Sequence, residues 1–286
     1  MKKIYTLPLS VVCFSFSIQA QLLAWTPNFA KDNDNISITA DATKGNLGLN
    51  NYSPVSDVYV HTGVITNLST SASDWRYVKF NQNFNLPNAL LQAASLGGNK
   101  WKFDITNIRA YYGVPAGETI LKISILFRNG AGTLKQANAD GSDMYIPVYD
   151  NTIAARFTTP LFQPTYIRIP ETISKQTGDV INLTAIANNS STMKLYLNGT
   201  VIQTASSATT ISANPVLSVA GNQIVMAEAS DGVTAKTETF QFFVSTAPNV
   251  APLPAGVRDG INYLPGNTSV VLVLNAPGQK QGIRYW

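Results

Sequence analysis

The sequence predicts an all-β protein built from tandem antiparallel β-sandwiches. Apolar and polar residues alternate in short segments, as in residues 36–40, 121–125 and 193–197, and period-two alternation is typical of half-buried strands. Asn198-Gly199 lies between two such segments and predicts a tight hairpin turn, because both positions must tolerate positive φ. Thr, Ser, Asn and Gly supply most of the polarity, since only 13% of the residues are charged.

Composition and length set the outer limits on function. The chain has 286 residues and a formal net charge of +4, and 45% of its residues are hydrophobic. That length suits two or three β-domains. Lys and Arg form no basic cluster in the sequence, so nucleic-acid binding is not expected.

Residues 1–20 have the pattern of a secretory signal peptide. Lys2 and Lys3 precede a short apolar run at residues 7–16, and Ala20 supplies a small residue before the expected cleavage site. We expect a protein that is secreted, periplasmic or displayed on the cell surface. The single cysteine, Cys13, lies in this segment, so we expect neither disulfides nor thiol chemistry in the mature chain. No later segment has the length and apolarity of a transmembrane helix.

Turn signals and composition divide the remaining chain. We predict a carbohydrate-binding-like β-sandwich at residues 22–150, an immunoglobulin-like β-sandwich at 160–246 and a Pro-rich linker at 247–258. Residues 259–286 have the strand pattern of a third β-sandwich that is only begun. One helix is predicted, at residues 87–94.

Several motifs together resemble a known family. They are DVYVHTGVIT (57–66), SDWRYVK (73–79), IRAYYGVPAGE (108–118), FRNG (127–130), DGINY (259–263) and LVLNAPG (272–278). On these motifs the chain resembles the N-terminal, non-catalytic region of secreted α-amylase-type enzymes of Bacteroidetes, in glycoside hydrolase family 13. A catalytic (β/α)₈ barrel in that family would need about 250 further residues. The resemblance therefore implies a chain that is truncated before the barrel and does not itself cleave glycosidic bonds.

The residues give no independent support for catalysis. Most acidic residues lie in apparent turns, whereas glycoside hydrolysis needs two carboxylates held across the scissile bond. His61 is the only histidine, and with Cys13 removed the count excludes a metal site built from His and Cys. We predict no catalytic residue, no metal site and no cofactor.

Sugar binding needs flat aromatic faces beside hydrogen-bonding groups. Strand alternation places Val58 and Val60 on a core face, with Tyr59 and His61 on the opposite face. The resemblance to small starch-binding modules implies a platform of Tyr59, His61 and Trp75, with Trp101 and Arg128 as further candidates. Ordinary alternatives, in core packing or surface hydrogen bonding, exist for Tyr59, His61, Trp75 and Trp101.

The predicted function is binding of an α-glucan such as starch or maltodextrin. Two alternatives stay open. The chain could be a structural or adhesive cell-surface protein without a sugar ligand. It could also be classed as an α-amylase by family inheritance alone, and hydrolysis of starch by the purified chain would refute the expectation that it lacks catalysis. The sequence does not determine an oligomeric state.

Overall fold

The computed structural model describes residues 21–80, 84–246, 260–263 and 270–273. The signal peptide predicted at 1–20 and the linker predicted at 247–258 lie outside the described residues. Contacts divide the described chain into two units. The first comprises the residues up to Thr152 together with Leu161–Ile169, and the second comprises Ile153–Pro160 and the residues from Pro170 onward.

The first unit contains two four-stranded antiparallel sheets. The first sheet has the order β1-β2-β5-β4. Its strands are β1 (Leu23–Thr26), β2 (Ile36–Asp41), β4 (Ala94–Gly97) and β5 (Lys100–Ile105). Alternate side chains of β2, Ile36, Ile38 and Ala40, are buried, as the period-two pattern predicts.

The second sheet carries the candidate site. It is built around β3 (Val58–Thr66) and β6 (Ile120–Asn129), with β7 (Lys135–Gln136) and β8 (Met144–Pro147) both pairing with β6. Buried apolar side chains of both sheets belong to one hydrophobic cluster. The unit is therefore a β-sandwich, with its core between the two sheets.

Helical structure in the first unit is short. The segment predicted as a helix at residues 87–94 contains only a 3₁₀ turn, Ala89–Leu91, followed by β4. The short helix α1 (Ile108–Tyr112) was not predicted. Asn107 caps it, because its side chain accepts a hydrogen bond from the Ala110 N–H. Gly113 ends this helix with φ 73°, a left-handed conformation that glycine adopts without a Cβ clash.

The second unit consists of longer strands. Its sheet has the order β12-β16-β15-β13-β14, with β9 also pairing with β13. The bounds are β9 (Ala155–Thr159), β12 (Lys175–Gln176), β13 (Leu183–Leu197), β14 (Thr200–Ala213), β15 (Gly221–Ser230) and β16 (Ala235–Ser245). The predicted turn is present between β13 and β14, where Asn198 and Gly199 have φ of 51° and 81°.

The prediction of an all-β fold built from antiparallel sandwiches is confirmed. Two-residue strands β10 (Phe162–Gln163) and β11 (Ile169–Pro170) follow β9 in the chain. Of the predicted third module at 259–286, only the antiparallel pair β17 (Gly260–Tyr263) and β18 (Val270–Val273) is described. Within the described residues, no helix is long and apolar enough to cross a membrane.

Candidate functional site

Pairing in the second sheet places the candidate side chains on one face. Tyr59 lies opposite Arg128 and His61 lies opposite Leu126 across β3 and β6. Tyr145 of β8 lies opposite Ser124 of β6. Because side chains alternate across a sheet, these residues share a face opposite to the buried Val58 and Val60. We call the face that carries Tyr59, His61, Ser124 and Tyr145 the outer face.

A loop returns along the free edge of β3 and brings Trp75 to the outer face. Val64 and Arg76 exchange backbone hydrogen bonds of 2.9 and 2.8 Å, and the Lys79 N–H donates to the Thr62 carbonyl. As a result the Trp75 ring stacks on His61, with centroids 5.5 Å apart and planes 24° from parallel. Both side chains are partly exposed. We refer to these two residues as the His61–Trp75 pair.

Neighbouring aromatic residues fix the pair, and the sequence did not single them out. Phe84 contacts the His61 ring edge-on at 5.3 Å. The Trp75 indole N–H donates to the Tyr145 hydroxyl at 3.3 Å, and that hydroxyl donates to the Ala72 carbonyl at 2.8 Å. The indole is therefore held by its stacking on His61 and by the hydrogen bond at its N–H before any ligand arrives, which lowers the ordering cost of binding.

The imidazole of His61 is neutral near neutral pH. Burial lowers its pKa, and the positive charge of Arg128 lowers it further, although Asp143 acts in the opposite direction. A neutral imidazole carries one donor and one acceptor nitrogen, so it can serve either role toward a hydroxyl group.

Tyr59 and Arg128 lie beneath the surface, which corrects their expected exposure. Their residues are 9% and 3% exposed. The Arg128 guanidinium donates to the carbonyls of Leu86, Asn129 and Gly130, and it lies 5.6 Å from the Tyr59 ring centroid. Residues 84–86 thus cover this end of the outer face. Arg128 lies 5.0 Å from the Phe84 ring that contacts His61, but neither Arg128 nor Tyr59 offers an open face to a sugar.

Trp101 belongs to the core, which corrects its placement in a binding platform. Its residue is 1% exposed, and it lies on β5 of the first sheet, not on the outer face of the second. The indole N–H donates to the Val55 carbonyl at 2.9 Å. Core packing, the alternative weighed from the sequence, accounts for this tryptophan.

Glu118 clamps the loop that carries Trp75, and nothing in the sequence pattern distinguished it from a turn residue. It accepts hydrogen bonds from the Thr66 hydroxyl and from the Tyr77 hydroxyl, the latter at 2.5 Å. Arg76 adds an ion pair of 2.8 Å between Nε and Oε1. Since Arg76 and Tyr77 directly follow Trp75, the clamp fixes where the indole lies.

We expect replacement of Glu118 by Gln to destabilise the first unit at pH 7. The free energy of unfolding of the variant should also fall less than that of wild type as the pH is lowered. The Thr66 and Tyr77 hydrogen bonds lower the Glu118 pKa. A lowered pKa contributes stability that is fully present above the unfolded value of 4.5 and is lost as pH falls through the folded value. Urea unfolding at several pH values below 7 measures the difference between the two proteins. Glu171→Gln, at an exposed position, is the matched control. Parallel pH profiles for wild type and Glu118→Gln would refute the clamp.

The described residues contain no group of three His, Cys, Asp or Glu side chains arranged to hold a metal ion. The His61–Trp75 pair offers partly exposed aromatic rings and an imidazole that can donate and accept hydrogen bonds, and the negative charge of Asp143 acts on that imidazole.

Comparisons with known proteins leave the family undefined. No family model and no curated protein matches the chain. Among solved structures, the D0-D1 domain of intimin is 11% identical with a TM-score of 0.36, over 77% of this chain and 97% of that one. The fibronectin(III)-like modules of Clostridium thermocellum CbhA are 19% identical with a TM-score of 0.25, over 33% and 99%. The ICAM-5 D1-D4 ectodomain fragment is 12% identical with a TM-score of 0.25, over 84% and 53%. Similarities with TM-scores this low indicate neither a family nor a function for the chain.

Proposed function

We propose that the first unit is a non-catalytic α-glucan-binding module, with the His61–Trp75 pair as its main sugar contact. The observation that carries the proposal is the stacked, partly exposed pair whose indole is fixed by Tyr145. The choice of α-glucan as ligand rests on the resemblance of residues 57–66 and 73–79 to the N-terminal regions of α-amylase-type enzymes.

The chemistry of the pair suits a pyranose ring. The apolar C–H face of the sugar would stack on Trp75, and the neutral His61 imidazole would exchange hydrogen bonds with a hydroxyl. Each hydrogen bond replaces one to water, so its net gain is only about 0.5–1.5 kcal/mol. We therefore expect weak binding, with a Kd on the order of 0.1–1 mM for an oligosaccharide.

We place this module in a secreted protein, following the signal-peptide pattern of residues 1–20. The second unit would act as a spacer, since no ring cluster comparable with the His61–Trp75 pair was predicted in its sequence. Weak modules become useful when they are linked to another binding or catalytic domain, because linkage raises the local ligand concentration.

Titration of the purified chain with maltoheptaose tests the proposal, with the β-linked cellohexaose as the control ligand. Saturable binding of maltoheptaose alone, without release of reducing ends from starch, is the expected result. Equal binding of both sugars would remove the α-glucan assignment, and absence of binding to either would remove the module assignment. Release of reducing ends would contradict the non-catalytic part.

A structural or adhesive role is the second candidate, and one feature of the second unit favours it. The edge strand β14 is largely exposed over its 14 residues and carries no charged side chain. Uncharged exposed edges permit strand addition by a partner chain. Concentration-dependent self-association of a chain that binds no glucan would favour this role over sugar binding.

A further inference from the structure

The aromatic surface of the first unit continues beyond the His61–Trp75 pair. Tyr166 contacts Tyr145 of the same cluster edge-on, with ring centroids 5.4 Å apart and planes at 72°. The Lys122 ammonium lies 5.7 Å from the Tyr166 centroid. We propose that Tyr166 and Lys122 form a second sugar subsite, so that the ligand is an oligosaccharide chain and not a single sugar. This inference rests on the proposed function.

Strand register places the second subsite on the same face as the first. Lys122 and Ser124 alternate with buried Ile123 along β6, and Tyr145 pairs with Ser124. Lys122 therefore projects from the outer face, as His61 does on β3. Tyr145 contacts both Trp75 and Tyr166, with ring centroids 6.3 and 5.4 Å away, and so links the two rings.

Local hydrogen bonds and packing hold the segment that carries Tyr166. The Tyr145 N–H donates to the Pro164 carbonyl at 2.7 Å, and Phe162 is 3% exposed. Arg168 places its guanidinium 4.4 Å from the Phe162 ring centroid. The Tyr166 ring is thus presented by an anchored backbone, as Trp75 is by its own loop.

The exposure of the rings argues for a ligand that spans both subsites. Trp75 and Tyr166 are partly exposed, whereas Tyr145, which contacts both, is 5% exposed. A single sugar can stack on either exposed ring, but only a chain can contact both while passing over Tyr145. Lys122 adds ammonium N–H donors beside Tyr166, and sugar hydroxyls accept such bonds. Lys122 is partly buried, so the protein has already displaced part of the water around its ammonium group, and this burial together with the charge of Arg168 lowers the Lys122 pKa.

Chain-length dependence tests the second subsite. Maltotriose and maltoheptaose are titrated into wild type, Tyr166→Ala and Lys122→Met, with Phe243→Ala, an exposed aromatic of the second unit, as the matched control. We expect Tyr166→Ala to weaken maltoheptaose binding about three- to tenfold and to leave maltotriose binding within twofold of wild type. Circular dichroism and thermal unfolding establish that each variant is folded.

The outcomes of these titrations distinguish failure of the second subsite from failure of the proposed function. If wild type binds both sugars and Tyr166→Ala leaves the ratio of their affinities unchanged, the second subsite is refuted while the first stands. If wild type binds neither, the proposed function and this inference fall together. If Tyr166→Ala does not fold, Lys122→Met carries the test, since it retains the ring, and an unchanged affinity ratio there overturns the proposal.

Discussion

Trp75→Ala is expected to lower maltoheptaose affinity by at least about 30-fold, which corresponds to about 2 kcal/mol. The substitution removes the stacking face and also the ring that holds His61 in place at 5.5 Å. Both sugar contacts of the pair are therefore lost together. Titration calorimetry measures the change, and retardation in an amylopectin gel gives an independent readout.

Two further variants separate stacking from folding. Trp75→Phe keeps a smaller aromatic face but loses the N–H donated to Tyr145, so its affinity should lie between those of wild type and Trp75→Ala. Phe243→Ala, which removes a 62% exposed ring from the second unit, should bind like wild type. If Trp75→Ala is folded and binds maltoheptaose as wild type does, the sugar site lies elsewhere.

The sequence predicted the strand faces well because alternation is a local property. Val58 and Val60 point into the core and His61 to the other face, as period-two spacing requires. What alternation cannot reveal is whether the second face meets water. Tyr59 is on the predicted face, yet Arg128 lies over its ring, and backbone carbonyls at residues 86 and 129–130 hold that guanidinium.

The missing information lies in long-range contacts. Phe84 and Tyr145 are separated from His61 by many residues along the chain. Glu118 is 41 residues away from Tyr77, whose hydroxyl donates a hydrogen bond to it. None of these contacts has a periodic signal, since each depends on how loops return over the sheet. The SDWRYVK motif indicated that Trp75 matters, but only the edge pairing of Val64 with Arg76 shows how it reaches His61.

Trp101 was predicted as a possible sugar contact because it is aromatic, but in the structure it packs in the core. Strand β5 alternates burial along its length, and Trp101, Phe103 and Ile105 all point inward. The same alternation is visible in the sequence, where Lys100, Lys102 and Asp104 separate the three apolar residues, and it favoured a core position for Trp101. The distinction comes from position, because β5 lies between two neighbours in its sheet whereas Trp75 lies on an edge loop.

Trp101→Ala is therefore expected to destabilise the first unit by about 3–5 kcal/mol, through the cavity that the indole leaves among core side chains. The substitution also removes the N–H that satisfies the Val55 carbonyl. Trp101→Phe should cost less, because it refills most of the apolar volume while losing the same hydrogen bond. Urea unfolding followed by circular dichroism measures both changes.

Sugar binding by the Trp101 variants distinguishes a core residue from a contact residue. At temperatures where Trp101→Phe remains folded, its maltoheptaose affinity should match that of wild type, because β5 contributes nothing to the outer face. A stability loss below about 1 kcal/mol for Trp101→Ala would place the indole at the surface, since exposed positions rarely exceed that effect. Lost affinity in a folded Trp101→Phe would return this residue to the binding site. A large loss of stability together with unchanged maltoheptaose affinity in the Trp101 variants would show that Trp101 belongs to the sandwich core. Trp75, at the surface, should show the loss of affinity instead.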